Sequence, residues 1–265
     1  MDYFRLLPEG CVSDILSFTS SKDAAISFAI SRGFNSAAES DLLWEKFLPE
    51  DYENISSRYV SPRICSSKKE LYFSLCDSPV LMDGGTLSFS LDKKTGKKCF
   101  MISARELAIV WGVDTPWYWE WIAHPDSRFS EVAHLHTVFW LDIRGTMGTQ
   151  MLSKRTRYVV YLVFKLAEEH WGLEIANAFV RFVNRVSNRE AEEQASTVSL
   201  VGENASRRRN LKCPQRRVDG WMEIELGNFI NDTGDDEDVE ARLMEITQLH
   251  GKCGLIVQGI EFRPE

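Results

Sequence analysis

The stretch Arg105 to Ile122 reads RELAIVWGVDTPWYWEWI and holds four of the chain's eight tryptophans. Pro116 fixes its own φ angle and biases the residue before it towards an extended backbone. Because successive side chains of a strand point to opposite faces, Trp117, Trp119 and Trp121 are predicted to share one face. Such a row of indoles suits either the core layer of a β-sandwich or an exposed platform for a flat apolar ring. The residues alone leave both uses open.

Alternation with a period of two continues on both sides of this stretch. Residues 87–91 and 99–102 predict two strands joined by a turn, and 158–166, apolar on both faces, predict a central strand. Further strands are predicted at 135–143, 179–186, 196–201, 219–227 and 254–262. Residues 239–246 fit helix or strand, and 168–174 fit a helical turn. Short strands at regular intervals predict a β-sandwich.

The chain before residue 53 shows helical spacing instead. Ser20 begins a capping-box pattern, Gly33 is expected to end the second helix, and Ser40 is expected to cap a third. Three short helices bury little surface alone, so a partner surface is expected to complete their core. A further helix is predicted at 68–76, in the linker that follows.

Charge and composition exclude several classes of protein. With a net charge of -8 and a pI near 5.3, the chain lacks the basic surface of a general nucleic-acid binder. The chain contains no run of eighteen apolar residues, so no membrane span is predicted. The beginning, Met1 then Asp2, lacks the basic and apolar regions of a signal peptide, so we expect a cytoplasmic or nuclear protein. The arginine run 207–209 is interpreted as a charged loop rather than an import signal.

The cysteines and histidines predict no metal site. None of the six cysteines forms a Cys-x-x-Cys pair, and we expect free thiols in a reducing compartment. His134 and His136 would share one face of a strand, but the spacing offers no third ligand, so neither metal nor cofactor is expected. A glycosidase needs only two well-placed carboxylates. Glu223 and Glu225, however, are expected to line the solvated face of a strand.

Five motifs near the start carry a family resemblance: Leu7-Pro8-Glu9, Ile15-Leu16-Ser17-Phe18, Asp23-Ala24, Phe34-Asn35-Ser36-Ala37-Ala38 and Leu43-Trp44-Glu45-Lys46-Phe47. Together they resemble an F-box. The resemblance implies a module that binds Skp1, the adaptor of cullin-based ubiquitin ligases. It also implies that Trp44 closes a small core, and that the adaptor interface contains Leu7, Pro8, Ile15 and Leu16.

The second half resembles another family through separated motifs, among them Ser103-Ala104-Arg105-Glu106-Leu107, Trp140-Leu141-Asp142-Ile143, Tyr161-Leu162-Val163-Phe164-Lys165, the run from Asp219 to Gly227, and Arg242-Leu243-Met244-Glu245. They are similar to the phloem protein 2 lectins, also called Nictaba-related lectins. The resemblance implies a jelly-roll-like β-sandwich that binds chitin oligomers or N-glycans. It places Trp111 and Trp119 at the two sugar-site tryptophans and Asp238 at an acidic sugar-site residue.

The predicted fold class is α+β by domain, a three-helix F-box followed by an all-β jelly-roll-like sandwich. The F-box is expected at 1–50, a linker with one helix at 51–85 and the lectin domain at 86–265. The implied function is a non-catalytic adaptor of a Skp1–cullin–F-box ubiquitin ligase that recruits glycan-bearing targets. Two alternatives stay open. In one the sandwich binds a protein surface and its sugar site is vestigial, and in the other the protein processes glycans.

Overall fold

The computed structural model describes residues 7–202 and 211–265, and for Glu9 the backbone only. The chain divides into two compact units, 1–84 with 88–99, and 85–87 with 100–265. Within the described ranges, none of the helices combines the length and apolar character needed to cross a membrane. All six cysteines are free thiols in the structure. The arginine run 207–209 lies outside the described residues.

The first unit, called the helical unit below, is mainly helical. Its helices are α1 Glu9–Ser17, α2 Ser21–Ile26, α3 Arg32–Glu39, α4 Asp41–Phe47, α5 Tyr52–Ser57 and α6 Lys68–Asp77, with a 3₁₀ turn at Ser27–Ala29. Strand β1 is Val80–Met82, and β2, Leu87–Leu91, begins a hairpin whose turn is closed by the Gly96 N–H donating to the Asp92 carbonyl at 2.8 Å. Trp44 is fully buried, and its Nε1 donates to the Ala38 carbonyl at 2.7 Å, as expected of a residue that closes the core.

The prediction of helices is confirmed, but the prediction of three is wrong. The Ser20 side chain accepts from the Asp23 N–H at 3.0 Å and caps α2 as predicted. Gly33 does not end that helix. It lies inside α3, because Ser31 in an extended conformation supplies a new cap by accepting from the Phe34 N–H. The linker helix is confirmed with its cap at Ser67, whereas α5 was not predicted.

The second unit, called the β-rich unit below, is built from antiparallel strands. They are β3 Lys98–Ser103, which begins in the first unit, β4 Ala108–Ile109, β5 Trp119–Ile122, β6 Val132–Leu135, β7 Leu141–Gly148, β8 Thr156–Trp171, β9 Ala176–Phe182, β10 Ser196–Val198, β11 Gln215–Arg216, β12 Met222–Asn231, β13 Asp238–Glu245 and β14 Cys253–Pro264. One sheet has the order β3-β14-β8-β12-β11, with β6 on β14 and β5 on β6. The other has the order β10-β9-β13-β7-β4. A short helix, α7 Asn188–Glu193, follows β9.

The two sheets of this unit face each other closely. A Cβ added at Gly145 of β7 would lie 3.0 Å from the Ile260 side chain of β14. One added at Gly227 of β12 would lie 3.0 Å from the Val180 side chain of β9. Glycine at both positions therefore allows the sheets to approach, and apolar residues between them form the core. The α+β class with antiparallel sheets is confirmed, while the jelly-roll-like connectivity stays a prediction.

Two predictions for this unit need correction, and one alternative left open is decided. Residues 135–143 do not form one strand, because β6 ends at Leu135 in one sheet and β7 begins at Leu141 in the other. Most of 168–174 belongs to the end of β8 rather than to a helical turn, since Trp171 pairs with Cys253. The ambiguous stretch 239–246 is largely β13, hydrogen-bonded to β7 on one side and β9 on the other.

Candidate functional site

Residues 110–118 form a loop that joins β4 to β5 and is held by hydrogen bonds within itself. The Thr115 hydroxyl donates to the Trp111 carbonyl, and the Tyr118 N–H donates to the Thr115 carbonyl at 2.9 Å. The Trp121 indole N–H donates to the Gly112 carbonyl at 3.0 Å. These bonds fix the path of the loop and hence the positions of its aromatic rings.

Trp111 has an unusual backbone conformation and an exposed side chain. Its φ angle is 64°, in the left-handed region that bulky residues rarely adopt, and its side chain is 53% exposed. Such a conformation costs on the order of 1–3 kcal/mol and clusters at binding sites, where the surrounding structure imposes it. The strain at Trp111 therefore points to a use for the exposed indole.

Two further rings join Trp111 at the surface. The centroids of Trp111 and Tyr118 are 6.1 Å apart with the planes at 62°, and those of Trp117 and Tyr118 are 6.1 Å apart at 67°. Trp117 is exposed and Tyr118 half-buried. We call Trp111, Trp117 and Tyr118 the aromatic patch. Sequence analysis had identified this stretch but not the roles of Trp117 and Tyr118, because an edge-to-face contact depends on the conformation of the loop.

Trp119 belongs to the core. It is 2% exposed, and its backbone pairs with buried Leu135 in β6. Its indole N–H has no hydrogen-bond partner among the described residues. The predicted row of three tryptophans is therefore wrong: Trp117 precedes the strand, and Trp121 is half-buried beneath the Arg105 guanidinium, 3.9 Å from its ring centre. A ligand has no access to the Trp119 ring in this structure.

Asp238 lies far from the aromatic patch. It is exposed at the start of β13, directly opposite Gly148 at the end of β7. Trp111 lies near the other end of β7, because the Val110 N–H donates to the Asp142 carbonyl. Those two positions are six residues apart along β7, roughly 20 Å at the usual rise. The structure therefore does not bring Trp111 and Asp238 into one site.

Polar side chains lie beside the patch on the outward face of β5 and β6. Glu120 is directly opposite His134, and the His136 Nε2 lies 3.2 Å from the Glu120 Oε2. Burial lowers the pKa of His134 below its usual value, the neighbouring His136 lowers it further, and Glu120 opposes both. Nitrogen atoms of the two imidazoles and a carboxylate oxygen of Glu120 all lie within 4.8 Å of one another, close enough to be considered metal ligands.

The helical unit exposes much of the predicted adaptor interface. Leu7 is 39% exposed and Ile15 43% exposed, and Pro8 is also exposed. Leu16 is 4% exposed and packs in the core, so it is not available to a partner. Other large apolar side chains at the surface of this unit are Phe18, Ile26, Phe28, Ile30 and Leu42. Sequence analysis missed these because helix phase alone does not tell which apolar face packs inward.

Glu223, one of the carboxylates considered for catalysis, is part of an ionic network. Glu223 is largely buried, and a single Arg217 Nη1 donates to Glu223 at 2.7 Å and to Glu261 at 2.6 Å. The prediction of a solvated face is therefore wrong for Glu223. Burial alone would raise the pKa of Glu261, but Arg217 and Arg128 outweigh it and hold that pKa below its usual value. Held ionised in this way, Glu261 is unsuited to the general-acid role of a glycosidase.

Comparison with known proteins gives consistent matches. The phloem protein 2 family matches residues 97–264. F-box protein PP2-B10 of Arabidopsis thaliana is 47% identical over 264 residues, covering 98% of this chain and 94% of the relative. From the same plant, F-box protein SKIP3 is 41% identical over 262 residues, covering 97% of this chain and 87% of the relative. A solved 4-O-methyl-alpha-glucuronidase aligns at a TM-score of 0.35 and 10% identity, over 62% of this chain and 17% of that chain, from which we infer nothing.

Proposed function

Because the chain belongs to the plant F-box proteins that carry a phloem protein 2 domain, we propose that it is a non-catalytic adaptor of a ubiquitin ligase. The helical unit binds a Skp1-type adaptor, which links it to a cullin. The β-rich unit recruits the target by binding a glycan of the chitin-oligomer or N-glycan type. The ubiquitin chemistry belongs to other subunits of the assembly.

The exposed apolar side chains of the helical unit support the first half of this proposal. Leu7, Ile15 and Phe18 are 39%, 43% and 89% exposed in and next to α1. Large exposed apolar patches mark protein interfaces. Burying such a side chain contributes about 1.5–3 kcal/mol, so a few of them supply a substantial part of the affinity for a partner. Leu16 supports this surface from inside rather than contacting the partner.

The strained, half-exposed Trp111 is the observation that supports the second half. A pyranose presents C–H bonds on one face, which an indole covers, and hydroxyls at its rim, which donate hydrogen bonds to a carboxylate. We assign the sugar to the aromatic patch, with the exposed carboxylate of Asp114 in the same loop as an acceptor. A stacked ring contributes about 1–1.5 kcal/mol. Two or three rings and one acceptor are consistent with micromolar to millimolar affinity.

Two measurements on the full-length chain test the proposal. A glycan array should show binding to chitin oligomers or N-glycans, and the chain should co-purify with a Skp1-type adaptor. Absence of the adaptor from the purified complex would reject the helical half. Absence of glycan binding would favour the alternative in which the β-rich unit binds a protein surface. Turnover of a chitin oligomer would instead identify a glycan-processing enzyme.

A further inference from the structure

The β5–β6 strand pair places three potential metal ligands on one face. Glu120 of β5 is directly opposite His134 of β6, so their side chains project to the same side. His136 lies two residues after His134, and its N–H donates to the Tyr118 carbonyl at 2.9 Å, which extends the pairing beyond the strands. His136 therefore projects to that same side. The strand pair holds Glu120 and His134, and the hydrogen bond to Tyr118 holds His136 directly beyond it.

The donor atoms are near the spacing that a tetrahedral metal ion requires. Zinc binds histidine nitrogen and carboxylate oxygen at about 2.0–2.2 Å, which puts neighbouring tetrahedral ligands roughly 3.4 Å apart. The His136 Nε2 and Glu120 Oε2 are 3.2 Å apart, and all three donor atoms lie within 4.8 Å. From this geometry we propose that Glu120, His134 and His136 bind a divalent transition-metal ion, for which zinc is the probe.

The side chains have the freedom to complete this site. Glu120 and His136 are 53% and 42% exposed, and His134 is half-buried. Contraction from at most 4.8 Å to roughly 3.4 Å between ligand atoms needs only side-chain rotation, since the exposed groups are free to change rotamer. Three protein ligands leave the fourth position of a tetrahedral ion open to water or to a group on a target.

The choice of donor atoms selects among metals. Two imidazoles with one carboxylate suit zinc and the neighbouring transition metals, whereas calcium and magnesium prefer oxygen ligands throughout. On the other side of His134 the neighbour is Ile256 of β14, which carries no charge. Beyond it lies Lys165, whose Nζ is bound to the Asp126 carboxylate and sits 5.1 Å from the Trp221 ring centre. The positive charge of Lys165 is thus already compensated by the Asp126 carboxylate.

Zinc titration of the chelator-treated full-length chain tests the site by calorimetry. We expect one equivalent of zinc to bind with micromolar affinity or better, and calcium or magnesium not to compete. Glu120→Gln, His134→Gln and His136→Gln should each weaken zinc binding tenfold or more. His250→Gln is the matched control, because His250 is an exposed histidine outside the cluster. It should bind zinc as the wild type does.

Because free thiols are zinc ligands in general, the titration is repeated after alkylation of the six cysteines, and the equivalent should persist. Cobalt in place of zinc should give the strong visible bands of a four-coordinate ion without a thiolate charge-transfer band. Thermal unfolding of the metal-free variants checks that each remains folded. If the alkylated wild type binds no zinc in this range, or His136→Gln binds it equally well, the cluster is a surface ion pair only. The test needs no glycan, so its outcome is independent of the proposed sugar site.

Discussion

Trp111 and Tyr118 meet edge to face with their ring centroids 6.1 Å apart, at opposite ends of a loop that is hydrogen-bonded to itself. The contact arranges two rings of the aromatic patch before any ligand arrives. A surface that is already ordered loses less conformational entropy on binding, so more of the stacking energy appears as affinity.

If the aromatic patch binds the sugar, Trp111→Ala should lower glycan affinity about tenfold or more and leave the fold unchanged. The reason is the loss of one stacked ring, about 1.4 kcal/mol. Titration calorimetry with a chitin oligomer measures this effect. Trp171→Ala is the control, because Trp171 is 49% exposed at the end of β8 and outside the patch. Equal losses of glycan affinity in both variants would show that the sugar does not bind at this loop.

Trp119→Ala should instead destabilise the protein. Its side chain is 2% exposed, and removing a buried tryptophan typically costs about 3–5 kcal/mol through the lost contacts and the cavity left behind. Urea unfolding of Trp119→Ala and Trp111→Ala should therefore separate the two residues. If the Trp119→Ala variant is as stable as the wild type but no longer binds glycan, Trp119 contacts the sugar after all.

Asp238→Asn should leave glycan affinity at the wild-type value. Asp238 pairs with Gly148, roughly 20 Å along β7 from the position beside Trp111, so its charge has no contact with a sugar in the aromatic patch. Asp114→Asn should weaken binding, because the exposed acceptor in the loop loses its charge. The two variants are compared on the same glycan. A loss confined to Asp238→Asn would place the site at the start of β13.

Two neighbouring residues of α1 should respond differently to truncation. Ile15→Ala should lower affinity for the Skp1-type adaptor by about 1–3 kcal/mol without changing stability, because Ile15 is 43% exposed. Leu16→Ala should lower the free energy of unfolding by about 2–5 kcal/mol, because Leu16 is 4% exposed. Binding measured by surface plasmon resonance, together with thermal unfolding, distinguishes them. The reverse pattern would mean that the adaptor binds another face.

Acid should destabilise the β-rich unit through Glu261. The pKa of Glu261 is held below its usual value in the folded state, so its contribution to stability is complete above the unfolded pKa and is lost as pH falls towards the folded pKa. Glu261→Gln should flatten this acid dependence, and should cost about 3–5 kcal/mol at neutral pH by leaving Arg217 less well paired. Unfolding free energies from pH 7 downwards measure both effects. Glu193→Gln, an exposed partner of Arg189, should change neither.

The sequence by itself determined the local structure. Capping residues such as Ser20 and Ser67 act within three residues of their own position, and the helices begin where they predict. The continuous apolar run at 158–166 likewise predicts a strand regardless of its neighbours, and it lies in β8. Composition alone indicated that the tryptophan-rich stretch 105–122 is either core or binding platform. The motifs in the two halves of the chain resembled the F-box and the phloem protein 2 families.

Only the tertiary structure decided which of these residues form a site. Glu120 stands opposite His134 because of the register between β5 and β6. Asp238 is separated from Trp111 because it pairs with Gly148 at the end of β7, whereas β4, which leads to Trp111, pairs with Ile143 and Arg144 nearer the beginning of that strand. The burial of Trp119 follows from its pairing with Leu135 on the core face. Strand register depends on partners distant in sequence and on which face is buried. A local pattern therefore determines that a strand forms, but not what it will lie beside.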